Sequence, residues 1–498
     1  MFSPKKDGSC PTALEIIRML KNSSAEDIAL IKKAYLFAQD AHKEQKRNSG
    51  EPYFFHVAHV AANLAIINVD ASTVAAGLLH DTIEDAGVLP KTIEREFSKE
   101  ILALVEGVTK LGKIKYRGIE RHVESLRKFF IAMSRDIRVL LIKLADRLHN
   151  IQTLEHIPEA KRKRIALETL EIHARLADRF GMGKWKAIFE DAAFPYAFPE
   201  EYERVAAIIK TKRIADEKYA QKIYRSIQKE LVANGIIDAR VNYRVKNLYS
   251  LWKKLARKEM DSNKVYDILA VRVIVKTVED CYRALGIIHK HWRPVPGRIK
   301  DYIALPKANG YRSLHTTIFH GDGGVIEIQI RTEEMHGEAQ YGIASHLAYK
   351  ENGLEKNNLE KNITWIKELT KWQKDVAKSD EFLEHLKMDF FKNRVFVFTP
   401  KGDVIDLPED SSTIDFAYAI HSRIGDHLSG AKINGKLASL ETKLKNGDIV
   451  EIETKDSSSP KRKWLDYTKT TMAKRHIRGY LEKTSPIEII AQKFFRRK

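Results

Sequence analysis

Two sets of residues in this sequence have types and spacings that could do chemistry. In the first, His80-Asp81 lies within Leu78-Leu79-His80-Asp81-Thr82-Ile83-Glu84-Asp85. Helical spacing would set Glu84 one turn beyond His80 and Asp85 one turn beyond Asp81, crowding polar groups on one edge of an apolar segment. His56 stands in the equally apolar Phe54-Phe55-His56-Val57-Ala58. Asp146 lies in Leu144-Ala145-Asp146-Arg147-Leu148-His149-Asn150, with Asn150 one turn further along the same face. Burying such an edge without a cation would cost several kcal/mol per unpaired charge. Two neutral imidazoles and two carboxylates suit a borderline-to-hard ion such as Mn²⁺ or Fe²⁺. Taken singly, each residue reads as a satisfied core polar group, with Arg147 as an ion-pair partner.

The second set falls on strand patterns. Alternation through 325–331 puts Glu327, Gln329 and Arg331 on one face and Ile326, Ile328 and Ile330 on the core side. Asp267 opens another predicted strand, and two carboxylates from separate strands commonly grip Mg²⁺ carried in by a nucleotide. Arg244, Lys246, Lys254, Arg272, Arg298, Lys300 and Lys307 accompany them. Phosphoryl-type transfer needs that union of positive charge, metal and positioning. An acid beside a base on a solvent-facing strand could equally be a surface pair.

The elements that must position these groups differ along the chain. Up to about residue 195 the pattern is helix after helix: Ile28, Ile31, Tyr35 and Ala38 recur at helical spacing, with Lys32, Lys33 and Asp40 on the wet side. Similar stripes run through 57–67, 72–79, 101–108 and 135–154. After an amphipathic stretch at 200–232, strand patterns at 268–275, 301–305, 316–320 and 325–331 alternate with helical ones, predicting a mixed sheet. Residues 351–390 read as an exposed helical connector. From 391 a third pattern begins: strands at 395–399 and 404–407 around Pro400-Lys401-Gly402-Asp403, a short helix at 414–421, and strands at 431–434 and 448–453. A basic helical tail follows.

Composition sets the outer bounds. The chain has 498 residues, 43% of them hydrophobic and 31% charged, which predicts about three ordinary globular domains. Its 86 Lys and Arg against 67 Asp and Glu give a formal net charge of +19, favouring polyphosphate or RNA partners. Two cysteines, Cys10 and Cys281, cannot build a disulfide framework or a Cys-rich zinc site. The opening Met1-Phe2-Ser3-Pro4-Lys5-Lys6-Asp7 lacks the apolar core of a signal peptide, and no apolar run approaches the ~18 residues of a membrane span. A cytoplasmic multidomain enzyme is the expectation.

The order His, His-Asp, Asp resembles the HD-type metal-dependent phosphohydrolases. The stretch 41–53 (Ala-His-Lys-Glu-Gln-Lys-Arg-Asn-Ser-Gly-Glu-Pro-Tyr), 80–87 and 142–150 narrow this to the hydrolase domain of the RelA/SpoT alarmone enzymes, which removes the 3′-pyrophosphate of ppGpp and pppGpp. The resemblance implies that His56, His80, Asp81 and Asp146 hold Mn²⁺, that Glu84 and Asp85 activate or position water, and that Arg47 and Asn150 contact the nucleotide. Val57 replaces the family's usual proline. The segment 297–317, from Gly297-Arg298-Ile299-Lys300-Asp301 through Asn309-Gly310-Tyr311-Arg312-Ser313-Leu314-His315, closely resembles the family's synthetase core, with 327–332 and 341–344 matching its next strand and helix. That core transfers the pyrophosphate of ATP to the ribose 3′-oxygen of GDP or GTP, releasing AMP. By resemblance, Asp267 and Glu327 bind Mg²⁺, with Glu327 also the base. Arg244 and Arg272 sandwich adenine, Lys254 and Lys307 hold phosphates, Tyr311 stacks on guanine and His315 contacts the acceptor's phosphates. Lys246, Lys300 and Asn309 belong to the same substrate-binding set. The basic form of 298–301 accompanies family members with both activities. Tyr243, Asn247 and Gln340 depart from the family pattern.

Phe398-Thr399-Pro400-Lys401-Gly402-Asp403 and the helix ending at His421 resemble a TGS domain, a β-grasp module that can meet the 3′ end of uncharged tRNA. An imidazole at His421 can stack on or hydrogen-bond an unpaired base, or it can simply cap a helix. Long family members continue into zinc and ACT modules, so the sequence reads as a short form. The expected architecture is therefore an all-α HD-type hydrolase (1–195), an α+β nucleotidyltransferase-like synthetase with a mixed sheet (196–350), a connector (351–390), a TGS domain (391–455) and a basic helical tail (456–498). The expected function is a bifunctional alarmone enzyme of the stringent response. A hydrolase with a regulatory pseudo-synthetase is the alternative. An RNA nucleotidyltransferase fused to an HD domain lacks its Gly-Ser and Asp-x-Asp pattern, and a non-enzymatic tRNA or ribosome binder rests on the TGS module and tail alone.

Overall fold

The computed structural model describes residues 9–21, 23–109, 131, 133, 135–261, 269–307, 309–319, 324–348, 394–445 and 447–483. Asp267, the connector and residues 484–498 of the tail lie outside the described residues. The chain forms two compact units, Met1–Asp375 and Val376–Lys498.

The first unit begins with packed helices. In α1 (Ala25–Ala41) Ser24 and Asp27 form a reciprocal capping box, and Ile31, Ala34 and Ala38 make the buried stripe. α2 (Phe54–Ile66) is buried almost all round, His56 and Val57 included. Asp70 starts α3 (Ala71–Leu79) by accepting a hydrogen bond from the Thr73 amide at 2.8 Å. Gly77 lets α3 press against α2, since a Cβ there would lie 2.5 Å from Leu64 Cδ1. α4 (Arg138–Gln152) completes the set that surrounds the predicted metal ligands.

Contrary to the helical spacing expected through Asp85, α3 ends at Leu79 and residues 80–85 continue as turns. The His80 side chain causes this in part, because its Nδ1 reaches back to the Gly77 carbonyl at 2.9 Å and satisfies an orphan acceptor at the helix end. The Asp85 amide still donates to the Asp81 carbonyl at 2.8 Å, so the local spacing is kept.

α5 (Gly183–Ala197) and the 35-residue α6 (Pro199–Ala233) lead into a five-stranded sheet. Its strands are β1 (Arg240–Val245), β2 (Leu269–Val275), β3 (Lys300–Asp301), β4 (Leu314–Phe319) and β5 (Val325–Thr332), with α7 (Leu248–Ala256) after β1 and α8 (Val278–His291) after β2. The order is β1-β2-β5-β4-β3, with β2 and β5 parallel and the other pairs antiparallel. One face buries Val271, Val273, Ile326, Ile328 and Ile330 against Ile227 and Leu231 of α6 and Cys281, Ala284 and Ile288 of α8. β1 was not read from the sequence. β3 is shorter than the expected 301–305, because Asp301 Oδ1 accepts from the amides of Ile303 (2.9 Å) and Ala304 (2.8 Å) and turns the chain. β5 is also not solvent-facing. It lies between β2 and β4, and Gln329 and Arg331 are buried.

The helical and sheet halves meet along a seam of glycines. Phe180 O accepts from Ile343 N at 2.9 Å just after α9 (Glu333–Tyr341). A Cβ on Gly342 (φ 55°, ψ −130°) would fall on that carbonyl, and one on Gly181 would lie 2.8 Å from Asn309 O. Asn247, one of the family departures, donates to the buried Glu190 Oε2 of α5 at 2.7 Å. Gln340, another, bonds His336 Nε2 at 2.6 Å.

The second unit holds the hairpin β6 (Arg394–Phe398) and β7 (Val404–Pro408), helix α10 (Thr413–Ile420), and a sheet of β8 (Leu428–Ile433), β9 (Lys436–Ala438) and β10 (Val450–Thr454) in order β10-β8-β9. Helix α11 (Thr471–Lys483) of the tail shares a core with it: Ala473, Ile477 and Trp464 pack with Ile414, Ala417, Tyr418 and Leu428. The buried Asp415 fastens the two by accepting from the amides of Thr470 (2.8 Å) and Lys469 (2.9 Å). The tail helix and the preceding β-grasp elements therefore share one core.

Candidate active sites

In the helical half, His56 of α2, His80 after α3 and Asp146 of α4 are buried, and each offers a ligand atom within 4.8 Å of the others. Asp81 joins them: its Oδ2 lies 3.0 Å from His80 Nε2 and 3.6 Å from His56 Nε2, and Asp146 Oδ1 lies 3.4 Å from His56 Nε2. His80 Nε2 is buried and makes no hydrogen bond despite its closeness to Asp81. An imidazole nitrogen and a carboxylate oxygen aimed at one point, without a linear bond between them, are what a shared cation needs. The four residues therefore fit a divalent metal.

The electrostatics agree with that fit. Burial resists charge on Asp146, but Lys143, whose Nζ donates to Asp146 Oδ2 at 2.8 Å, and His56 hold its carboxyl well below the usual range. Burial likewise opposes ionisation of Asp81, and His80 and His56 overcome it. The same carboxylates outweigh burial at His80 and raise it to about 9, so a cation held there would displace a proton from its ring, whereas burial lowers His56.

Around the ligands lie the other predicted groups. Arg47 Nη2 donates to Asn150 Oδ1 at 2.7 Å, and Asn150 Nδ2 donates to Asp146 Oδ1 at 2.5 Å. Asp85 is exposed and Glu84 half-buried. Arg147 pairs with Glu168 at 2.7 Å, the ion-pair role open to it from the start. Beside Arg47 opens a cleft of about 240 Å³ lined by Lys46, Asn48, Tyr53, Thr153 and His156. Two further residues escaped the sequence reading. The Tyr53 hydroxyl lies 2.8 Å from Asp81 Oδ2 and 2.9 Å from Asp85 Oδ2. His149 Nδ1 lies 2.9 Å from His56 Nδ1. The signal for His149 was present, three residues after Asp146 on an apolar helix face.

In the sheet half, register gathers the predicted groups on the face opposite the core. Arg272 pairs with Gln329, Gln329 with His315, and His315 with Lys300, while Ala270, Glu327 and Thr317 form the next row. Cross-strand partners share a face. Glu327 is the centre of this array: His315 Nδ1 lies at 3.3 Å and Gln329 Nε2 donates to its Oε1 at 2.8 Å. Burial raises its pKa, but His315, Gln329 and Lys254 prevail and bring it to about 2. A carboxylate so low is a good cation ligand and a weak proton acceptor. Arg272 is lowered to about 9, first by burial and then by Arg331 and Arg244, so three guanidinium groups face one another. Lys254, Lys300 and Arg244 are exposed, and Lys246 is half-buried.

Four predicted substrate contacts are engaged within the protein itself. Tyr311 OH lies 2.8 Å from His315 Nε2, and Lys307 Nζ sits over the rings of Tyr302 and Tyr311 at 4.6 and 4.9 Å. Asn309 Nδ2 donates to the Asp178 carbonyl of the helical half at 3.1 Å. In the second unit His421 is exposed, and its Nδ1 accepts from the Arg423 amide at 3.2 Å, capping the start of a short helix.

With this geometry in hand, comparison places the chain. Residues 34–183 match the HD domain, 243–354 the region found in RelA/SpoT proteins, and 395–454 the TGS domain. The chain belongs to the RelA/SpoT family. It is 47% identical over 455 residues to a guanosine-3′,5′-bis(diphosphate) 3′-pyrophosphohydrolase from Aquifex aeolicus, covering 91% of this chain and 64% of that protein. It is 44% identical to a GTP pyrophosphokinase from Myxococcus xanthus, covering 92% and 61%. It is 42% identical to the bifunctional (p)ppGpp synthase/hydrolase SpoT of Escherichia coli K12, covering 92% and 65%. The RelA/SpoT chain thus spans less than two thirds of the length of these relatives. Among its described residues no helix is long and apolar enough to cross a membrane.

Proposed function

We propose that this RelA/SpoT chain both makes and destroys (p)ppGpp, transferring pyrophosphate from ATP to the 3′-hydroxyl of GDP or GTP in the sheet half and hydrolysing the 3′-pyrophosphate in the helical half. The observation that carries the reading is the buried convergence of His56, His80 and Asp146, with Asp81 against them, in a chain that also assembles a cationic sheet face around Glu327.

For hydrolysis, His56, His80, Asp81 and Asp146 would hold Mn²⁺. Such an ion acidifies a water and screens charge at phosphorus. Asp85, with Glu84, takes the water's proton, and the Tyr53 hydroxyl, within reach of both Asp81 and Asp85, donates its one hydrogen to either. Arg47 and Asn150 seat the nucleotide at the mouth of the adjoining cleft. For synthesis, Glu327 together with Asp267 would hold Mg²⁺. Arg244 and Arg272 cradle the adenine, and Lys246, Lys254, Lys300 and Lys307 bear on phosphates. Tyr311 and His315 receive the acceptor, and Asn309 holds their loop against the helical half. Such an enzyme works in the cytoplasm, where its nucleotides are. His421 and the basic face of α11, with Arg475 and Arg478, are assigned to a tRNA or ribosome contact.

One observation favours the narrower reading of a hydrolase with a silent synthetase fold: Tyr311 and Asn309 already have protein partners. Chromatography of nucleotides separates the two. Incubation with ATP, GDP or GTP and Mg²⁺ should give AMP and a guanosine tetra- or pentaphosphate, and incubation with ppGpp and Mn²⁺ should release pyrophosphate. Hydrolysis without any synthesis would leave only the narrower reading.

A further inference from the structure

Behind the metal ligands lies an arrangement that the proposed chemistry does not itself require. The Nδ1 atom of His149 is approached by two groups: Arg47 Nη1 at 3.0 Å and His56 Nδ1 at 2.9 Å. His149 is buried, and its ring stacks on His59 at 4.8 Å with 21° between the planes. Arg47 is also held by Thr153 Oγ1 at 3.2 Å and by Asn150 Oδ1 at 2.7 Å, so its direction toward His149 is fixed by two other partners.

A guanidinium group only donates. His149 Nδ1 must therefore be the acceptor, and the hydrogen of that neutral ring sits on Nε2. With a lone pair at His149 Nδ1, His56 Nδ1 must carry a hydrogen, because two lone pairs facing each other at 2.9 Å would repel. A neutral imidazole with hydrogen on Nδ1 is bare at Nε2. That is the atom of His56 aimed at Asp146 and Asp81, 3.4 and 3.6 Å away. Metal-bound histidines need an outer partner for their second nitrogen. His80 has one in the Gly77 carbonyl, which can only accept. A second histidine as outer partner is ambiguous, since it could donate or accept, and Arg47 removes that ambiguity.

We propose that Arg47 and His149 form a positioning relay that holds His56 in the one tautomer able to ligate a divalent cation, giving Arg47 a role toward the metal in addition to any contact with nucleotide. The proposal rests on the metal-site reading above. It is tested by Mn²⁺ affinity of the full chain in the absence of nucleotide, measured by equilibrium dialysis. His149→Phe keeps the ring stacked on His59 but has no acceptor, and it should weaken Mn²⁺ binding about 10- to 100-fold. His149→Asn offers an amide oxygen near the Nδ1 position and should recover most of that loss. In ¹⁵N-histidine protein the His56 ring should show its hydrogen on Nδ1, and Arg47→Met should shift that population toward Nε2. Unchanged Mn²⁺ affinity in a folded His149→Phe protein would overturn the relay, as would equal losses in the Phe and Asn variants, which would make His149 a packing residue. Failure of the parent protein to bind Mn²⁺ would instead overturn the metal site itself, and the relay with it.

Discussion

The two candidate sites are built on opposite principles. In the helical half nearly every polar group facing the metal position is satisfied from behind: Lys143 on Asp146, the Gly77 carbonyl on His80, His149 on His56, Tyr53 on Asp81. Opposite charges are matched and the pocket is set before anything binds. In the sheet half Arg244, Arg272 and Arg331 crowd one another, and the rings of Tyr302 and Tyr311 lie under Lys307. Positive charge outnumbers Glu327 on that surface, which suits a polyanion. A packed helical core can hold a small cation in a fixed frame, whereas a sheet face in charge imbalance is completed by its substrates.

The sharpest way to break this comparison is to remove one ligand from the fixed frame. Asp146→Ala takes away both a metal ligand and the partner of Lys143. Hydrolysis of ppGpp should fall about 10³-fold or more, while ATP-dependent synthesis, followed by nucleotide chromatography, stays within about twofold. Parallel loss of both activities would mean that the sites are not separate. The converse substitution, Glu327→Gln, should lower synthesis about 10²- to 10³-fold and spare hydrolysis. It also has a pH signature. A carboxyl held near 2 instead of 4.5 adds stability that is complete above its unfolded pKa and lost as the pH falls toward 2. The variant should therefore be less stable than the parent at pH 7, by on the order of 1–3 kcal/mol, and the gap should narrow by pH 3 in urea titrations. A gap independent of pH would dissociate Glu327 from its His315 and Gln329 partners.

Gly342→Ala tests the seam between the halves. The new Cβ would meet the Phe180 carbonyl in a backbone conformation that L residues avoid, so a loss of about 2–4 kcal/mol in the unfolding of the first unit is expected. An unchanged melting temperature would show that the seam can open without penalty. The smallest effect belongs to His421→Ala, where loss of the cap on Arg423 N should cost about 1 kcal/mol or less. If affinity for an uncharged tRNA 3′ end fell without any loss of stability, the exposed imidazole would be a contact first and a cap second.

The candidate metal ligands stand out in the sequence because buried polar residues contradict their surroundings: His56 and Asp146 interrupt apolar helix faces, and that conflict survives in one dimension. His149 and Tyr53 were harder to see. A histidine amid Leu and Ile has the same pattern whether it ligates or supports a ligand, and Tyr53 acts across 28 and 32 residues through its hydroxyl alone. The alternation of 325–331 gave the inner face of β5 correctly, but not its central place in the sheet. That place depends on β1 and β2 pairing from far away in sequence. The end of α3 at Leu79 was hidden because it is accompanied by the His80 side chain bending back on Gly77, a choice of rotamer rather than of residue type.

The glycine seam has a consequence for how such a molecule can change. Where Gly342 meets Phe180, and Gly181 meets Asn309, main chain lies on main chain with no side chain between to absorb a mismatch. A hybrid spliced at residue 195 from two parents would have to draw both edges of that joint from compatible stock, or its halves would not close. The two halves are thus bound to a common ancestry: either can drift, but neither can be traded alone.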